Sequence, residues 1–156
     1  MEVVEKNSNK NAVHRVLAHS YTVYLVAFLI GVCLDIIFGF KIFSNSIMMP
    51  LGLLFIFIAS ILIIWAQKTS HDLRKINEVK TEHFFRGPYQ YTRSPTNWGL
   101  FFLMLGFGIM ANAFFVILST ILSFIIARFV FVDKQEKILE EKYGVHYEEY
   151  KKTVKF

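Results

Sequence analysis

Ser94-Pro-Thr-Asn-Trp-Gly-Leu-Phe-Phe-Leu-Met-Leu-Gly-Phe-Gly-Ile-Met-Ala-Asn-Ala-Phe-Phe-Val-Ile-Leu-Ser-Thr-Ile-Leu-Ser-Phe-Ile-Ile-Ala127 is a run of 34 residues without a single charge. As one helix it would be about 51 Å long at 1.5 Å per residue. A bilayer's hydrocarbon core is only about 30 Å thick, so one crossing cannot use it. Gly106, Gly108 and Asn112 lie near its middle, where a tight hairpin would need such residues. The run therefore divides into two expected spans, 97–110 and 113–132, the first of them short.

Working outward, two more apolar segments of helical length appear, at 21–40 and 47–66. Ser44, Asn45 and Ser46 read as the turn between them, and Pro50 suits the first turn of the second helix. The whole chain of 156 residues is 54% hydrophobic and only 19% charged. Soluble domains carry about 25% charged residues, so a soluble globule, a disordered chain and a disulfide scaffold are all excluded. Cys33 is the one cysteine, so no intramolecular disulfide forms. The expected fold class is all-α: an integral membrane bundle of four transmembrane helices, with a cytosolic strap loop and a C-terminal helix, in one domain over 1–156.

Basic residues test the span count independently, because Lys and Arg collect on the cytoplasmic side. With four spans, 16 of the 17 fall on one side and 1 on the other; with three spans the division is 9 against 8. Four spans with both termini in the cytosol follow. The net charge of +5 is thereby explained without nucleic acid, for which no basic stripe interleaved with exposed aromatics exists. Glu2 and Glu5 mark the first 20 residues as a cytosolic lead-in, not a cleavable signal. Gly99 and Gly106, seven apart, share a helix face that would let a neighbouring backbone approach closely.

Three regions hold polar residues with chemical potential. Asp35, inside the first span, would suit a small proton-coupled exporter, although it lies near enough the helix end to snorkel to the outer interface. The segment Arg86-Gly-Pro-Tyr-Gln-Tyr-Thr-Arg-Ser-Pro-Thr-Asn-Trp-Gly99 has backbone-fixing prolines, tyrosine faces and, in Arg93, a planar fork for a carboxylate. It reads either as a ligand-holding strap at the membrane entrance or as an interfacial anchor of Tyr, Trp and Arg. After the last span, Asp133 to Tyr143 is rich in helix formers and ends at Gly144, placed as a C′ residue. Its Glu136, Glu140 and Glu141 read as a solvated face, or alternatively Glu136 points back at the strap.

Gly87-Pro88-Tyr89-Gln90-Tyr91-Thr92-Arg93-Ser94-Pro95, then a helical hairpin, then Gln135-Glu136 and Tyr143-Gly144-Val145-His146-Tyr147-Glu148-Glu149-Tyr150, resembles the isoprenylcysteine carboxyl methyltransferase and phospholipid methyltransferase family. The likeness spans residues 80–156, about half the chain. That family's pattern has His where Ser94 stands, Tyr at Asn97 and Glu at Gln135. The resemblance implies methyl transfer from S-adenosylmethionine to a lipophilic or lipid-anchored acceptor arriving through the bilayer, a prenylcysteine-type carboxylate being one such group. It implies that Gly87, Pro88, Tyr89, Tyr91, Arg93, Ser94, Pro95, Asn97, Gln135 and Glu136 bind the cofactor, with Arg93 and Glu136 catalytic and no metal. Arg93 would take the methionine carboxylate. Glu136 would complement the sulfonium, the ammonium or Arg93, and His83 and His146 would flank the site. The three departures also admit a family-derived scaffold that has lost catalysis.

Overall fold

The computed structural model describes residues 2–42, 48–74 and 85–154. Among them every regular element is helical. Helix α1 runs Glu2–Phe38 and α2 runs Met48–Arg74. A single 3₁₀ turn, Gly87–Gln90, precedes α3 at Pro95–Met110 and α4 at Phe114–Ile126. A wider π-helical stretch, Ala127–Val132, joins α4 without interruption to α5 at Asp133–Tyr143, and α6 follows at Val145–Thr153. The expected turn at Ser44, Asn45 and Ser46, and residues 80–84 at the start of the family-like segment, His83 among them, lie outside the described residues.

Three helical stretches are long and apolar enough to cross a membrane: His19–Phe38, Met48–Asp72 and Phe114–Glu141. The apolar helix α3 is shorter, 16 residues, or about 24 Å. Large apolar side chains such as Ile36, Leu53, Ile64 and Phe129 face outward along them, as a bundle solvated by lipid tails requires. Polar groups at depth are satisfied locally: the Thr120 and Ser123 hydroxyls donate to carbonyls of their own helix, at Val116 and Ser119.

The expected division of the uncharged run holds in placing a turn near 111–113, but Gly106 and Gly108 do not make it; Gly99 and Gly106 instead form the close-approach face also expected of them. Gly106 and Gly108 are helical residues of α3, buried by neighbours. The reversal itself is made by Asn112 at φ 53°, an angle that asparagine tolerates better than other side chains. Gly106 faces Gly52 of α2, where an added Cβ would come within 2.7 Å of the Gly52 carbonyl oxygen. Gly99, on the same face, lies against Ile63 and Ala59. The small-residue face of α3 thus seats α2, and α1 packs along α4.

Asp35 has a structural task. Its two carboxylate oxygens accept hydrogen bonds from the backbone N–H groups of Phe115 and Val116, at 3.0 and 2.9 Å. An acid from the last turns of α1 therefore caps the N-terminus of α4, where free N–H groups and the helix dipole favour negative charge.

Candidate functional site

Two helical stretches are longer than one bilayer crossing needs, and their surplus turns build one end of the molecule. α2, with 27 residues, is about 40 Å long. Its Trp65 and Thr69 receive the turn at Gly87, which has φ 59°. A Cβ there would collide with Thr69 Oγ1 and sit 3.2 Å from Trp65 Nε1, so both backbone angle and space require glycine. Pro88 is fully buried behind it. From this anchored turn the chain runs through Arg93 to Ser94, with Pro95 opening α3 at its first helical position.

The second contribution comes from the continuous helix that begins at Phe114. Glu136 is 22 residues along it, beyond the roughly 30 Å of hydrocarbon. The π stretch at 127–132 offsets everything downstream by about one residue, some 100° of rotation. Glu136 is accordingly buried, not part of a solvated face. Arg93 Nη1 lies 2.9 Å from Glu136 Oε1 and donates to Oε2 at 3.0 Å, with only 11% and 8% of the two side chains exposed. Residues 43 positions apart thus meet as a buried ion pair.

Lys151 of α6 completes the cluster. Its ammonium reaches Glu136 Oε2 at 3.1 Å and Glu140 Oε1 at 2.7 Å. The Glu140 hydrogen bond, ahead of that to Glu136, pushes the Lys151 pKa above the usual lysine value against a smaller opposing effect of burial. Gly144, at φ 55°, ends α5 and starts α6, turning the chain back over the site. Tyr147, Tyr150 and Val154 then pack against Phe85, Tyr89, Leu139 and Tyr143. The Tyr150 hydroxyl donates to the Tyr89 carbonyl. Burial pushes the Tyr147 and Tyr150 hydroxyls well above the usual phenol range, with the negative charge of Glu136 adding to the effect at Tyr147.

The ten residues singled out from the sequence fall into distinct environments. Gly87, Pro88 and Tyr89 form the anchored turn under α6. Arg93 and Glu136 pair, and Ser94 and Gln135 are half-buried beside them in the chain. Pro95 is buried at the start of α3, whereas Tyr91 is 71% exposed. Asn97 turns into the bundle, where its Oδ1 accepts from the Tyr24 hydroxyl at 2.8 Å. Its Nδ2 is buried with no hydrogen-bond partner among the described residues. His146 is exposed. Two participants escaped sequence reasoning. Tyr24 signalled itself only as a hydroxyl inside an apolar span, which needs a partner. Lys151 lay among other tail lysines with nothing in its spacing to distinguish it.

The family model described as phospholipid methyltransferase matches residues 47–146, nearly two thirds of the chain. The match takes in α2, the Gly87 turn, α3, α4 and α5, and with them both members of the Arg93–Glu136 pair. No curated protein and no solved structure matches the chain.

Proposed function

This chain belongs to the phospholipid methyltransferase family, and we propose that it transfers a methyl group from S-adenosylmethionine to a lipophilic or lipid-linked acceptor, such as a prenylcysteine-type carboxylate. The observation that carries this reading is the buried Arg93–Glu136 pair, which draws together the anchored turn before α3 and the helix after α4.

The donor set fits an amino-acid-bearing cofactor. Arg93 offers a guanidinium fork for a carboxylate, and Glu136 offers a carboxylate for an ammonium or sulfonium. The buried Nδ2 of Asn97 is a donor that a bound group can satisfy. In this reading Gly87, Pro88, Tyr89 and Tyr91 form the outer wall, with Tyr ring faces available to a cation, while Ser94, Pro95 and Gln135 frame the charged pair. Bound S-adenosylmethionine supplies an activated methyl group on sulfonium, which a nucleophile takes directly. The protein's part is to align donor and acceptor and to keep water out. A carboxylate acceptor needs no general base. The acceptor enters from the lipid, for which the outward apolar faces of the bundle provide the setting. The charge bias supports four spans, with α3 as the short one and both termini and the site on the cytosolic side.

The Asp35 carboxylate is engaged by two backbone N–H groups, which leaves the exporter reading without its free acid. The scaffold reading draws on Ser94, Asn97 and Gln135. Membranes from cells overproducing the chain, incubated with methyl-labelled S-adenosylmethionine, separate the two. Label entering the lipid-extractable or prenyl-protein fraction above control membranes supports the methyltransferase. Label appearing only when Ser94→His, Asn97→Tyr and Gln135→Glu are introduced supports the scaffold.

A further inference from the structure

The two cations on Glu136 are not equivalent. Arg93 is nearly buried and belongs to a segment fixed at one end by the Gly87 turn and at the other by Pro95. Lys151 is 40% exposed and divides its ammonium between two carboxylates, with Glu140 the nearer at 2.7 Å and Glu136 at 3.1 Å. Glu136 carries one negative charge and already faces two cations, so a ligand cation that approaches it competes with them and favours the departure of one. Withdrawing Arg93 would strand a buried guanidinium. Withdrawing Lys151 leaves it paired to Glu140, on a flexible four-carbon stem already partly in solvent.

We infer that Lys151 is a resident counter-ion of Glu136, which a cationic ligand displaces onto Glu140 as it binds. The inference rests on the reading above, in which Glu136 faces a positive charge of the cofactor, and it adds a positioning residue on α6, outside the family match. Glu140 acts here as the seat that receives the displaced ammonium. Lys151 therefore opposes cofactor binding, whereas a residue that merely supported the fold of the site would favour it.

Calorimetric titration of S-adenosylmethionine, which carries both the ammonium and the sulfonium, into the full chain in detergent tests this directly. Lys151→Met and Lys151→Gln, each checked for a single cooperative melting transition well above the temperature of the titration, are expected to bind about three- to fivefold more tightly than wild type. Lys151→Arg, which restores a cation, should return towards wild-type affinity. Glu140→Gln removes the alternative seat and should weaken binding by a similar factor, but should have no further effect when combined with Lys151→Met. Weaker or unchanged binding by the neutral Lys151 variants overturns the inference while leaving the cofactor site standing. Absence of binding by wild type removes the cofactor site itself, and the inference with it.

Discussion

The Tyr150 hydroxyl donates a hydrogen bond to the Tyr89 carbonyl across 61 positions of sequence. That bond fastens the last helix to the turn that begins the candidate site. Tyr150→Phe keeps the ring against Phe85 and removes only this bond, which is worth about 1 kcal/mol. Amide exchange over 145–153 should quicken in the variant while α3 and α4 keep their protection. Unchanged exchange in α6 would show that ring packing alone holds it.

Asp35 should behave as a helix cap. Asp35→Ala is expected to cost about 0.5–2 kcal/mol, and Asp35→Asn less, since an amide oxygen still accepts one of the two N–H groups. Thermal unfolding in detergent reads both. Methyl transfer by the folded fraction should survive either change. Loss of transfer in fully folded Asp35→Asn would give the acid a role that its two backbone contacts do not explain.

Gly87 is constrained twice, by its positive φ and by Thr69. Gly87→Ala should therefore cost about 1–2 kcal/mol from backbone strain alone, and more from the collision. Pairing it with Thr69→Ala should recover only the collision part. Complete recovery of wild-type stability in the pair would remove the conformational argument.

Alkali should loosen the α6 end of the molecule. Tyr147 and Tyr150 are held protonated by burial, and Lys151 by its carboxylates. Folded pKa values above the unfolded ones mean stabilisation that is complete below about pH 10. It is lost as pH rises through the folded values. Melting temperature should thus fall on the alkaline side, and less steeply in a Tyr147→Phe/Tyr150→Phe variant. An equally steep fall in that variant would place the alkaline lability elsewhere.

Much of this was legible in the sequence because lipid makes a blunt demand: long apolar runs and a shortage of charge can only be helices at depth. The meeting of Arg93 with Glu136 was likewise anticipated as one of two arrangements. What could not be read was rotation. Nothing in Ala127 to Val132 announces a π turn, yet that turn sets which way Glu136 faces. Of the three residues read as hairpin candidates, Asn112 alone makes the turn, while Gly106 serves the close approach to α2 also expected of it; glycine suits both tasks, so its identity could not divide them. Tyr24 and Lys151 gained their roles only through partners 73 and 11 positions away, which local spacing does not encode.

The buried Arg93–Glu136 pair as a cofactor site is tested most directly by titrating S-adenosylhomocysteine into the purified full chain. Removing one partner alone strands a charge at a cost of about 3–5 kcal/mol, so the informative comparison is the neutral double variant Arg93→Gln/Glu136→Gln. Saturable binding by wild type is expected, with a loss of about tenfold or more in the folded double variant. Heats of dilution alone from wild type, or wild-type affinity in the double variant, would contradict it.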